Sequence, residues 1–172
     1  MSIILVNAHD YSWFGLGGNC GDVAKTLKRA EAFIESIGTG TLHTSRLYLS
    51  EPWGYSDQKE FINQVVGIKP KIKVEQALEL IHGFERNEGR ERTIKWGPRT
   101  IDIDILYWPN HVQNNPQLTL PHPRLHQRRF VLEPWVEIAP NLVIPGLDQS
   151  VAQLLDSCPD TGWLKVLSPC AS

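Results

Sequence analysis

Two aspartates one residue apart, in Ile101-Asp102-Ile103-Asp104-Ile105, offer the first chemistry. In an extended chain alternate side chains share a face. Asp102 and Asp104 then stand side by side, with Ile101, Ile103 and Ile105 on the opposite face. Parallel carboxylates repel, and a hard divalent cation with oxygen ligands, such as Mg²⁺, relieves that repulsion. A bare Asp-x-Asp is more often a solvated acidic face, but its context changes the odds. Arg90, Arg92, Lys95 and Arg99 lie just upstream. Cations beside a metal-binding carboxylate pair suit a polyphosphate, whose charge satisfies both. Gly89 and Gly97-Pro98 punctuate this basic stretch, so it has the makings of a lid, with Trp96 as its apolar plug. The plainer reading is a solvated basic loop that balances Asp102 and Asp104.

Other residues with chemical potential are scattered along the chain. Phe61 and Asn63 are two apart and project to one face of a strand, where an aromatic beside an amide can hold a flat heterocycle. Glu51-Pro-Trp-Gly54 adds backbone groups and a second ring, Trp53. Pro121-His122-Pro123 and Arg128-Arg-Phe130 add a histidine for phosphate, an arginine and a further stacking ring. Each alone is weak, since a lone His is usually structural and Phe130 suits a core. Glu85 follows Phe84 near a helix end, within reach of a ribose hydroxyl, although a surface glutamate is the preferred reading there. No P-loop, Rossmann fingerprint, protein-kinase set or zinc-protease motif is present in the sequence.

These residues need elements to position them. The first 19 residues read as a strand, irregular in register, running into Gly15-Leu-Gly-Gly-Asn19. Val23, Leu27, Ala30, Ile34 and Ile37 recur at helical steps, with Asp22 or Asn19 as cap and Gly38 as stop. His43–Ser50 and Phe61–Lys69 read as strands. Val74, Ala77, Leu78, Ile81 and Phe84 mark a second helix that Gly89 stops. Ile101–Trp108 is the clearest strand. A helical stretch over Phe130–Ile138 is kinked or split by Pro134. A short helix near 150–157 and a strand near 163–167 form a C-terminal extension. The βαββαβ order predicts an α+β, ferredoxin-like sandwich.

Composition bounds the function. The 172 residues contain 41% hydrophobic and 21% charged residues, with Lys plus Arg 17, Asp plus Glu 19 and a formal net charge of −2. One domain over residues 1–172 is expected. The charge argues against a surface that grips nucleic acid throughout. Three cysteines, Cys20, Cys158 and Cys170, fit no zinc or CxxC pattern and suggest free thiols in a reducing compartment. No apolar run is long enough for a membrane span, and no secretion signal or prenylation box is recognised. The expectation is a cytoplasmic protein without membrane or nucleic-acid partners.

Taken together and in order, these blocks resemble the 6-hydroxymethyl-7,8-dihydropterin pyrophosphokinases of folate biosynthesis. The match runs from about Gly15 to Pro140 and is most specific over Lys95-Trp-Gly-Pro-Arg-Thr-Ile-Asp-Ile-Asp-Ile-Leu106. Ser45–Gly54, Asp57-Gln58, Phe61-Ile-Asn63, Leu120–Pro123 and Arg128–Phe130 also match. The chain departs at Gly17-Gly-Asn-Cys-Gly21, where the family often shows Gly-Ser-Asn-Leu-Gly, and at Ser50, where Thr is more usual. The resemblance implies a single pyrophosphokinase domain, acting as a monomer, that transfers pyrophosphate from ATP to the pterin and leaves AMP. It implies two Mg²⁺ ions on Asp102 and Asp104. It places the pterin between Phe61 and Phe130, beside Asn63, Ser50 and Trp53. It places ATP along Glu85, Trp96, Arg99, Ile105, Thr119, His122 and Arg128, and gives Arg90 and Arg92 a catalytic place on a mobile loop. Two rivals belong to other classes. One is a ferredoxin-like RNA-binding module with Phe61 and Phe130 stacking bases. The other is a two-metal phosphodiesterase, which would want more acidic ligands than this pair.

Overall fold

The computed structural model describes residues 7–54, 56–89 and 97–167. Arg90, Arg92, Lys95, Trp96 and Cys170 lie outside the described residues.

A single 3-10 turn, Ala8–Asp10, precedes β1 (Ser12–Gly18). Then come α1 (Val23–Ser36), β2 (Gly38–Thr44), β3 (Tyr48–Ser50), β4 (Phe61–Pro70), α2 (Val74–Asn87) and β5 (Asp102–Tyr107). The C-terminal third adds β6 (Gln113–Asn114), β7 (Thr119–Leu120), α3 (Arg129–Val136), β8 (Val143–Ile144), β9 (Gln149–Ser150), α4 (Val151–Asp156) and β10 (Leu164–Val166). The main sheet is antiparallel in the order β10-β3-β4-β1-β5, and β2 joins β4 alongside β3. The fold is therefore a mixed α/β structure with an antiparallel sheet and, among the described residues, four α-helices.

Alternation decides which side chains face which layer. Phe14, Leu16, Val66, Ile68, Ile101, Ile103 and Ile105 leave one face and meet Leu27, Ala30 and Ile34 of α1 and Ala77 and Ile81 of α2. Trp13, Val65 and Leu106 leave the other face and meet Val131, Leu132 and Trp135 of α3 and Val151 and Leu154 of α4. Trp13 fits because its neighbour on β4 is Gly67, where a Cβ would lie 2.4 Å from the indole.

Several expectations need correction in detail. The strand after α1 begins at Gly38, not His43. Gly38 does not merely stop the helix: a Cβ there would fall 2.2 Å from Ile68, so β2 starts beside β4 as bare backbone. The segment expected as one strand, His43–Ser50, divides into β2 and β3. Pro134 does not split α3, which runs through it to Val136. The predicted cap holds, since Asp22 accepts the Lys25 N–H at 3.2 Å. Among the described residues no helix is long and apolar enough to cross a membrane, and Cys20 and Cys158 carry free thiols.

Candidate active site

The α3-facing side of the sheet has a hollow where β1 carries no side chains. Register puts Gly17 opposite Asp102 and Gly15 opposite Asp104 on one flank. On the other flank Gly17 faces Asn63 and Gly15 faces Val65. The two glycines thus form a bare floor between the carboxylates of β5 and the wall of β4. Phe61, Ser50, Glu51, Trp53, Arg99, Arg128 and Phe130 are among the other residues that line it. A Cβ on Gly17 would already stand 3.1 Å from the Asn63 side-chain oxygen.

The polar side chains are tightly organised. Arg99 pairs with Asp102 at 2.6 Å, and Arg128 with Asp104 at 3.0 Å. The Arg128 guanidinium lies 5.1 Å from the Trp53 ring centre and 5.8 Å from that of Phe130, while Arg99 lies 5.8 Å from that of Phe61. Asn63 Nδ2 donates to Ser50 Oγ at 2.8 Å, and both residues are buried. Burial, reinforced by the neighbouring Asp102 charge and opposed by Arg128, pushes the Asp104 carboxyl up to about 7. Burial and the Arg128 charge push His122 down to about 4. His122 is therefore neutral near pH 7. Its Nδ1 accepts the Arg124 N–H at 3.1 Å, so its Nε2 carries the proton, 3.8 Å from Asp104.

Most sequence-predicted residues converge on this hollow, but three need comment. Glu85 is not a surface residue: it is 3% exposed, and its carboxylate accepts the Ile103 N–H of edge strand β5 at 2.9 Å. The Ile105 side chain is buried in the core against the helices, so only its backbone is open to a ligand. Thr119 sits on the β6–β7 hairpin, donating to Asn114 at 3.2 Å. Arg90, Arg92 and Trp96 fall outside the described residues.

Sequence reasoning offered Asn19 only as an alternative cap of α1, whereas it is buried and ties segments together. Its side-chain oxygen accepts the Arg99 N–H at 2.9 Å, while its Nδ2 donates to Gln58 and to the Lys59 carbonyl at 3.0 and 2.9 Å. The Asn19 and Cys20 N–H groups bind the Arg99 carbonyl in return. One amide thereby ties the end of β1 to the segments leading into β4 and β5. The floor glycines were also missed as a feature, although Gly-Leu-Gly on a strand signals a face without side chains.

The donor set can be tested against a divalent metal. Asp102 and Asp104 are hard oxygen donors on one face, and Asp104 is held in a state that a nearby cation would relieve. Among the described residues no group of three or more His, Cys, Asp or Glu is placed to hold a metal ion. Two carboxylates with room for phosphate and water suit Mg²⁺, which seldom takes an all-protein cage.

Comparison with known proteins follows the same blocks. The family model described as 7,8-dihydro-6-hydroxymethylpterin-pyrophosphokinase matches residues 13–140. A 2-amino-4-hydroxy-6-hydroxymethyldihydropteridine pyrophosphokinase of Bacillus subtilis is 38% identical over 131 residues, covering 76% of this chain and 78% of its own. The Haemophilus influenzae protein of the same name is 33% identical over 156 residues, covering 90% and 97%. Among solved structures, wild-type HPPK-DHPS of Plasmodium falciparum superposes with a TM-score of 0.66 at 15% identity. That match covers 86% of this chain and 44% of the other, so the chain spans under half of that longer protein. At such identity it speaks for the fold alone.

Proposed function

The chain belongs to the 7,8-dihydro-6-hydroxymethylpterin-pyrophosphokinase family, and from that premise we propose how its cleft works. The reaction transfers pyrophosphate from ATP to 6-hydroxymethyl-7,8-dihydropterin in folate biosynthesis, giving the pterin diphosphate and AMP. The RNA-binding and phosphodiesterase readings gain no support from these relatives.

One observation carries the assignment of roles: the carboxylate pair and the aromatic–amide wall flank a strip of β1 without side chains. The pterin lies between Phe61 and Phe130 and meets the Asn63 amide, with Ser50 and Trp53 completing its pocket. ATP lies toward β5, along Arg99, Arg128, Thr119, His122 and the Ile105 backbone. Asp102 and Asp104 would hold two Mg²⁺ ions. Bound there, the metal supplies charge neutralisation of the triphosphate and a lowered pKa for the pterin hydroxyl.

The chain's own residues do the rest. The hydroxymethyl oxygen attacks the β-phosphorus in line and AMP departs. Such transfers need positioning and charge more than covalent help. Arg99 and Arg128 aim positive charge at the leaving and transferred phosphates. Neutral His122 offers an N–H donor rather than a charge. No side-chain general base is required. We read the frame as ferredoxin-like, supported by the strand order, and residues 1–172 as one monomeric cytoplasmic domain. Arg90, Arg92 and Trp96 are read as an ATP-side loop, and Glu85 as supporting the nucleotide side through β5.

Nucleotide product analysis tests this reading. Protein, Mg·ATP and the dihydropterin should give pterin-dependent AMP, lost without magnesium and in the Asp102→Asn/Asp104→Asn variant. ADP as product would move the attack to another phosphorus. No turnover in folded protein would refute the assignment.

A further inference from the structure

The C-terminal segment beyond α4 makes contacts that the reaction scheme has not used. Helix α3 carries two cleft residues at its start: Arg128 at the N-cap and Phe130 in the first turn. The first N–H groups of a helix lack partners within it, and the N-cap side chain normally supplies one. Arg128 makes no such bond, because a guanidinium carries only donors and cannot accept an N–H. The acceptor comes instead from 31 residues downstream: Asp160 accepts the Arg129 N–H at 3.0 Å. This places a carboxylate at the positive end of α3.

The same short segment holds the opposite wall. Asp160 also accepts the Gly162 N–H at 2.9 Å, turning the chain toward Glu51, which accepts the Trp163 N–H at 2.9 Å. Glu51 is two residues before Trp53. A Cβ on Gly162 would lie 2.8 Å from the Glu51 carboxylate and 3.0 Å from that of Asp160, so the chain threads between them as bare backbone. β10 then pairs with β3, setting Leu164 beside Ser50. Ser50, Glu51, Trp53 and Phe130 therefore line both the cleft and a second hollow whose far side is Asp160, Gly162 and Trp163.

We propose that Asp160–Leu164 is a clasp that sets the spacing between the two aromatic walls of the cleft, with Asp160 and Glu51 as positioning residues. The inference rests on the pterin lying against Phe130. Asp160 acts through the first turn of α3, and Glu51 through the segment bearing Trp53. Asp160 holds the Arg129 and Gly162 N–H groups rather than the Arg128 guanidinium, so the clasp bears on the pterin more than on ATP.

Steady-state kinetics and thermal melting of D160A, D160N, E51A and F130A test this at a temperature where each protein is fully folded. A displacement of a positioning element well under an ångström to about one ångström changes turnover or binding by roughly tenfold to a hundredfold. The expected result is a pterin KM raised roughly tenfold in D160A and about threefold in E51A, with the ATP KM within twofold of wild type. D160N keeps one oxygen, enough for the Arg129 N–H, but turns an amide NH2 toward the Gly162 N–H, so it should recover only part of the loss. In an F130A background D160A should add little. Glu51 is exposed, so E51A keeps the test alive if D160A fails to fold. A lowered melting temperature with unchanged pterin KM would overturn the clasp while leaving the site intact. So would an equal D160A effect with and without Phe130. An F130A enzyme with wild-type pterin KM would overturn both the clasp and the stacking assignment on which it rests.

Discussion

Replacing Glu85 by alanine and by glutamine should have very different consequences. Strand β5 is an edge strand, and its Ile103 N–H is satisfied by the buried Glu85 carboxylate rather than by another strand. Alanine removes that acceptor. An orphaned buried N–H costs about 1–3 kcal/mol, and the space left by the truncated side chain adds about 1 kcal/mol. Glu85→Ala is therefore expected to lose about 2–4 kcal/mol of stability. Glutamine keeps an oxygen and the volume and gives up only the charge-assisted part of the bond, about 1 kcal/mol. Both variants remove a negative charge that helps to raise Asp104, so this relief cancels between them. Urea unfolding at pH 7 reads the difference. With a slope near ~2 kcal/mol per M, the alanine midpoint should fall about 1–2 M below wild type. The glutamine midpoint should fall by about 0.5 M or less. Equal midpoints for the two variants, or an alanine variant as stable as wild type, would refute the role given to this carboxylate. Because Ile103 lies between Asp102 and Asp104, the alanine variant should also bind Mg·ATP more weakly, visible as a raised ATP KM.

Two further outcomes follow from the geometry. A carboxyl whose folded pKa stands near 7 against an ordinary value of 3.8 favours the folded state while protonated. Without divalent ions the wild type should therefore lose stability as pH rises from about 4 to 7. Asp104→Asn should lack that loss, and magnesium at pH 7 should stabilise the wild type alone; melting curves at pH 5 and 8 decide it. Gly67→Ala, with its Cβ 2.4 Å from the buried Trp13 ring, should lose about 1–3 kcal/mol or more by overpacking. A melting point unchanged from wild type would show that the indole can move.

Short-range pattern encodes part of this molecule openly. The Ile-Asp alternation of β5 is enough by itself to assign the strand's two faces, and the apolar steps from Val23 to Ile34 mark α1. What stayed hidden depends on distant neighbours. Gly38 reads as a helix stop because its close approach to Ile68 is invisible in its own surroundings. Glu85 reads as a surface charge because a glutamate on a helix usually is one, and only the edge of β5 beside it gives the carboxylate a buried partner. Asn19 reads as a candidate cap of α1 until the segments around Gln58 and Arg99 arrive on its two sides. Asp160, in Pro159-Asp160-Thr161-Gly162, reads as a turn residue. Its bond to α3 matters because Arg128, 32 residues earlier at the N-cap, has no acceptor to offer.

The floor made by Gly15 and Gly17 bears on inhibition and resistance. A compound resting there touches main chain, whose chemistry no substitution can change. At Gly17 even the smallest side chain would press on Asn63 and, with the substrates placed as proposed, occupy the space they need. Escape from such a compound is thereby steered to the walls, where, on the roles proposed above, Phe61, Phe130 and the arginines can vary only by also altering the grip on the natural ligands. An inhibitor that draws its affinity from the floor leaves the enzyme few easy ways to evade it, whereas one that leans on the rim leaves many.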